Sequence, residues 1–313
     1  MTEEFKFELL ENGLDFILSG LNYVSRQDSK SDLKYGILHI CSGIELIIKE
    51  RLKREHWSLI FHNIENANEE LLISCEFKSV DLRNCLQRLK NICNISINEN
   101  DEKHLIDFRN KRNKLEHFGI NDSWEGILSS SARVVSIILD FISNELEPEY
   151  FDPIEEEHFK ELREKISYFD ELVELRMDSL KEDLESAEKD GLFTTECPIC
   201  YQDTLILGDS QTSCLFCNYK AEPEDAARLW ISTHMKINEY MIVKDGGDYP
   251  LYLCPECDNN TLVDSEKYIC FACGNHWDIS TLDNCLDCNR LYILRDDEPP
   301  FCYDCIEYKS TKD

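Results

Sequence analysis

Residues 109–118 read RNKRNKLEHF, and they hold side chains suited to proton transfer and phosphate handling. Arg112 is followed by Asn113 and, four residues further on, by His117. A neutral imidazole takes or gives a proton near pH 7. A guanidinium grips phosphate and stabilises the charge that builds on it. An amide orients either group. The three together suit metal-free cleavage of an RNA phosphodiester, in which the ribose 2′-hydroxyl attacks and a 2′,3′-cyclic phosphate is left. On a helix, Arg109, Asn113 and His117 fall at i, i+4 and i+8 and share a face. Arg112 lies about 140° around that helix from His117. The pair meets only if Arg112 curls around the helix or if two chains share the site. Arg109 and Lys111 are candidate substrate contacts, and Leu115 and Phe118 are expected to anchor the segment to a core. Glu45, inside an apolar stripe near residue 45, is a further candidate on the substrate side as a partner of Arg109 or Arg112. Its alternative is an ordinary i,i+4 pair with Lys49. His39 reads as a core-edge histidine, and His56 and Trp57 read as the seal of a helix end.

The second chemical signal is sulfur. Of 16 cysteines, twelve lie after residue 196 in six Cys-x2-Cys pairs. Taken two at a time they are Cys197, Cys200 with Cys214, Cys217; Cys254, Cys257 with Cys270, Cys273; and Cys285, Cys288 with Cys302, Cys305. The gaps between pairs are 13, 12 and 13 residues, one motif repeated three times. A two-residue spacer aims both sulfurs of a pair at one point, and a short hairpin brings the second pair over to close a tetrahedron. The expected cofactor is Zn2+ in three structural four-cysteine sites, with no cofactor for catalysis; iron is the alternative metal. The pattern resembles zinc ribbons. That family often places Gly after the second Cys of a pair. Gly274 fits, Asn218, Asp258 and Asn289 tolerate the same left-handed turn, and Tyr201 and Ile306 depart from it. The ribbons either dock a protein partner or simply stabilise a tail too small for its own core. Trp277, Tyr292, Phe301 and Tyr303 are expected either to form the docking surface or to cap those cores. Cys41, Cys75, Cys85 and Cys93 have irregular spacings and read as small buried thiols.

Around these groups, apolar residues recur at helical steps in 5–147: Ile37, Ile40, Ile44, Ile47 and Ile48, then Leu82, Leu86 and Leu89, then Val134, Val135, Ile138, Leu139 and Ile142. The expected architecture is therefore multidomain. An all-α N-terminal bundle of four or five helices spans 1–147. A charged helical connector spans 148–194, with one helix over 154–189. Three small β zinc-ribbon modules follow at 195–235 (with a helix), 236–279 and 280–313. No leader or membrane span is read from the sequence, and the expected setting is cytoplasmic.

The formal net charge is −30, and residues 1–150, 151–196 and 197–313 all carry net negative charge. Four-thiolate zinc adds about −2 per site. Such a tail is repelled by nucleic acid phosphates, so the ribbons point to protein partners rather than DNA.

RNKLEH at 112–117, with KYGILHICSGIELIIKERLKREHWSLIF at 34–61, resembles the HEPN family (higher eukaryotes and prokaryotes nucleotide-binding domains). The likeness covers about residues 1–147. It implies Arg112, Asn113 and His117 as active-site residues of a metal-independent endoribonuclease that works as a homodimer. It implies RNA as substrate and a setting in growth-arresting toxins or anti-phage defence. One branch of the family is controlled through a Tyr two residues after the His; Gly119 stands there in this chain. The other class of function left open is a non-enzymatic dimeric adaptor that recruits a protein through the ribbons.

Overall fold

The computed structural model describes residues 6–208, 210–244, 247–294 and 300–311. The chain is mainly helical, with small antiparallel sheets confined to its C-terminal part. It divides into two compact units, one ending at Ser179 and the other beginning at Leu180.

The first unit is built on a helical hairpin, α1 (Leu9–Arg26) and α2 (Lys30–Glu55). Glu8 and Glu11 form a capping box at the start of α1, and the Ser29 hydroxyl accepts from Asp32 N–H at the start of α2. The two helices approach closely because glycines sit between them. A Cβ on Gly20 would stand 2.6 Å from Ile40 Cγ1, and one on Gly43 would stand 2.7 Å from the Gly13 carbonyl oxygen. Around this seam Leu14, Ile17, Leu21, Ile37, Ile40, Ile44 and Ile47 are buried.

Short α3 (Glu69–Ser74) and α4 (Leu82–Asn91) follow, then α5 (Glu99–His117) and α6 (Trp124–Glu145). Helix α6 is long and apolar enough for a membrane crossing, but most of its apolar window is buried in this unit. The expected single helix over 154–189 is instead two, α7 (Pro153–Lys165) and α8 (Asp170–Lys189). A turn of 3-10 helix at Ile166–Tyr168 separates them, because Ile166 and Phe169 are both drawn into the core. Helix α7 packs on α1. Arg176 of α8 is buried and donates to Ser136 Oγ (2.8 Å) and Asp140 Oδ1 (3.0 Å) of α6. The segment expected as a connector thus begins within the helical unit, and the division falls inside α8.

The second unit holds two four-stranded sheets with strands in chain order. The first is β1 (Phe193–Thr195), β2 (Leu205–Leu207), β3 (Thr212–Cys214) and β4 (Lys220–Ala221). Helices α9 (Pro223–Trp230) and α10 (Glu239–Lys244) lie between the sheets in sequence. The second is β5 (Leu251–Tyr252), β6 (Leu262–Asp264), β7 (Tyr268–Cys270) and β8 (His276–Trp277). Trp230 packs edge-on to Phe271, and Gly208 lies against the Cys273–Gly274 backbone, so the two sheets are neighbours.

The third module differs from the repeat expected. Among the described residues it has two strands, β9 (Leu282–Asn284) and β10 (Leu291–Ile293), and a helix, α11 (Tyr303–Ser310). Leu282 and Leu291 are buried in the core of the second module.

Candidate functional site

Helix α5 is started by Asn98, whose side chain accepts from Asp101 N–H (2.9 Å), and is anchored by buried Leu105 and Phe108. Beyond Phe108 the helix carries its basic residues out of the core. Arg109 stays close to α2, with Nε 3.4 Å from Glu45 Oε1. Glu45 also lies 3.7 Å from Lys49, which donates to Ser79 Oγ (3.2 Å). Both pairings considered for Glu45, with Arg109 and with Lys49, therefore occur at once. Lys111 donates to Asp122 and to Ser130 Oγ (3.3 Å), tying α5 to the start of α6. Arg109, Glu45 and Lys111 hold the helix in place; their charges are already answered within the unit.

Arg112, Asn113 and His117 occupy the last two turns. Arg112 Nη1 is 2.9 Å from Glu116 Oε2 and donates to Asn113 Oδ1 (3.2 Å). A carboxylate and an amide thus set the guanidinium from its own helix. Glu116 is an addition to the expected residues, and its sign in the sequence is the i,i+4 step from Arg112. His117 is exposed at the last residue of the helix. Beneath the motif, burial pushes the Cys41 thiol up to about 12, with Glu45 adding to the shift and Arg112 and Arg109 opposing it.

The expectation for Phe118 is overturned. Its side chain is 92% exposed, while Leu115 is half-buried. The backbone leaves the helix at Phe118 (φ −140°, ψ −90°), which turns the ring away from the core. The ring instead stands edge-on to that of His117, centroids 6.4 Å apart.

Three four-cysteine clusters occur among the described residues, each with its four sulfurs within 4.8 Å of one another. The S···S separations are 3.8 Å (Cys197–Cys217), 3.6 Å (Cys200–Cys214), 3.7 Å (Cys254–Cys273 and Cys257–Cys270) and 3.6 Å (Cys288–Cys302). A sulfur tetrahedron with metal bonds of ~2.3 Å has edges of about 3.8 Å, so the residues fit a structural zinc ion. The turns that aim them are alike. The N–H of Cys197, Cys254 and Cys285 donates to the carbonyl of Gln202, Asn259 and Arg290 respectively, the fifth residue on.

Positive φ follows the second Cys at Tyr201, Asn218, Asp258, Gly274 and Asn289. Tyr201 therefore takes the left-handed turn despite its side chain. Ile306 does not, because Cys302 caps α11 and the helix runs on through Cys305 and Ile306. In each cluster one thiol is pushed down. Burial opposes this at Cys214, but bonds from the Cys197, Cys200 and Cys217 sulfurs and the Thr204 hydroxyl hold it well below the usual thiol range. Cys270 falls to about 4, chiefly through its bond with the Cys254 sulfur, aided by Thr261. Cys285 falls to about 6: burial opposes this, and the backbone N–H groups of Cys302, Cys288 and Asp287 outweigh it. Of the aromatic residues near the sheets, Trp277, Tyr292 and Phe301 pack on the small cores, and Tyr303 is exposed.

Comparison with known proteins adds no relative: no family model, no curated protein and no solved structure matches the chain. The functional reading therefore rests on the residues themselves.

Proposed function

We propose that the helical unit is a HEPN-type, metal-independent endoribonuclease and that the three four-cysteine clusters are structural zinc sites of ribbon type. The observation that carries the nuclease reading is the row Arg112, Asn113, Glu116 and His117 at the exposed end of α5, with Arg112 already oriented by two neighbours. His117 exchanges the proton of the ribose 2′-hydroxyl or of the leaving oxygen. Arg112 turns from Glu116 to the scissile phosphate and offsets its added charge. Asn113 keeps the guanidinium aimed. In this reading the working form is a homodimer through the helical unit, RNA cleavage arrests growth, as in toxins or anti-phage effectors, and the acidic zinc modules recruit a protein partner.

The test is full-length protein against total RNA and single-stranded oligonucleotides in magnesium-free buffer, with 2′,3′-cyclic phosphate ends as the readout. His117→Ala should lower cleavage by about 10² to 10⁴ with an unchanged melting temperature. Equal cleavage by the two proteins, or none by either, overturns the nuclease reading. The exposed Phe118 ring beside the motif favours a second reading, a dimeric adaptor whose α5 end is a protein contact. Under that reading Phe118→Asp alters oligomeric state and no RNA is cut.

A further inference from the structure

Resting on the zinc reading of the four-cysteine clusters, we propose that the third one, Cys285, Cys288, Cys302 and Cys305, is a metal-exchange and oxidation site for hydroperoxides. The first two clusters are more enclosed. All four cysteines of the first cluster are buried. In the second, two are buried and two half-buried. In the third, Cys288 is exposed and Cys305 half-buried. The first two are flanked by four-stranded sheets, whereas the third has a two-stranded hairpin and a helix. Its own buried core is Cys285, Tyr292 and Cys302, so two of its three members are ligands.

The first two clusters share a further hold on their sulfurs. Thr204 and Thr261, each seven residues after the first Cys of its cluster, place a hydroxyl 3.2 Å from the sulfurs of Cys214 and Cys270. A hydroxyl donated to a ligating thiolate draws charge from it and makes it a poorer nucleophile. The same step in the third cluster carries Tyr292.

The chemistry balances with a hydroperoxide as oxidant. The Cys288 sulfur attacks the terminal peroxide oxygen; an S–O bond forms, the O–O bond breaks, and the departing oxygen takes a proton and leaves as water from hydrogen peroxide or as the alcohol from an alkyl hydroperoxide. The Cys302 sulfur, 3.6 Å away, then attacks the Cys288 sulfur. An S–S bond forms, the S–O bond breaks, and a second proton carries the oxygen off as water. Two thiolates lose two electrons and the peroxide gains them. The disulfide no longer offers two of four ligands, and the ion is released. Exposure and thiolate character select such sites.

The experiment titrates zinc-loaded full-length protein with hydrogen peroxide. Zinc release is followed with a colorimetric chelator, and the oxidised cysteines are mapped by mass spectrometry. One ion should leave at least about tenfold faster than the others, with the disulfide mapped to Cys288 and Cys302 and release undone by a dithiol plus zinc. Thr261→Val should speed loss from the second cluster. Simultaneous loss of all ions, or first oxidation within 197–217 or 254–273, overturns the proposal while leaving the zinc reading intact. A chain isolated from zinc-replete medium with no bound zinc overturns both.

Discussion

Cysteine does opposite work in the two units. In the helical unit Cys41 and Cys85 are buried among isoleucines and leucines, and burial pushes both thiols up to about 12. There the sulfur stays protonated and serves as a small apolar atom; the same expectation fails for Cys75, which is exposed, and is met only in part at half-buried Cys93. In the C-terminal unit the clustered sulfurs lie against other sulfurs and backbone N–H groups, and one thiol in each cluster is pushed down. The difference teaches that burial alone does not decide what a cysteine does; the neighbours that answer its charge do. It also says what holds each unit together. The helical unit has a continuous apolar core, whereas the third module's core is largely its own ligands.

Zinc removal is the largest test of that contrast. Stripping the full-length chain with a strong chelator should unfold the C-terminal unit, since structural zinc contributes about 10–16 kcal/mol per site in small modules. Limited proteolysis should then cut throughout 195–311 while the helical unit keeps its circular dichroism and its melting transition. If the sheets survive chelation, the contrast is wrong.

The helical unit should respond to packing in the reverse way. Gly20→Ala forces a Cβ to 2.9 Å from the Ile40 backbone nitrogen as well as onto its side chain. It should cost about 1–3 kcal/mol in denaturant unfolding of the helical unit and leave the zinc content unchanged.

Arg176→Met should cost less, about 1–2 kcal/mol, because it removes the bonds to Ser136 and Asp140 but keeps an apolar stem. A drop confined to the helical transition would place the first half of α8 in that unit's stability.

The smallest effect concerns His39, which is bonded to Ser19 Oγ (2.9 Å) and ringed by Phe16 and Tyr23. Burial lowers its pKa below the usual 6.5, and Asp15 opposes the shift. The unfolded chain takes up this proton near pH 6.5, and the folded chain does so only at lower pH. Its contribution is thus present above that value and is lost as pH falls through the window down to the folded pKa. The melting-temperature difference between wild type and His39→Gln should shrink across that window; a constant difference would remove the titration from the account.

Much of this was legible before any coordinates. The isoleucine steps of α2 and the leucine steps of α4 announce helices because a helix buries one stripe. The Cys-x2-Cys pairs announce their clusters because two sulfurs three residues apart can meet at one point within a single turn. Other features were not legible. The four glycines of α1 and α2 read as weak helix formers until their partners stand opposite them. Phe118 reads as a core residue because an apolar side chain gives no sign that its backbone has just left the helix. The break between α7 and α8 follows from Ile166 and Phe169 both reaching the core, which no heptad count states. Tyr201 adopts a left-handed backbone because the surrounding turn imposes it, and Ile306 escapes one because α11 takes over.

By itself, then, the sequence determined the helical character of the first unit, the grouping of its paired cysteines into three fours and the placing of Arg112, Asn113 and His117 along one helix, since these depend on residue type and on spacing along the chain. Only the tertiary structure decided that Arg109 is engaged by Glu45, that Arg176 reaches Ser136 and Asp140, and that one of three like-spaced four-cysteine clusters stands open. Those outcomes depend on which surfaces meet: charge pairing and solvent access are properties of neighbours in space, and the order of residues along the chain does not list them.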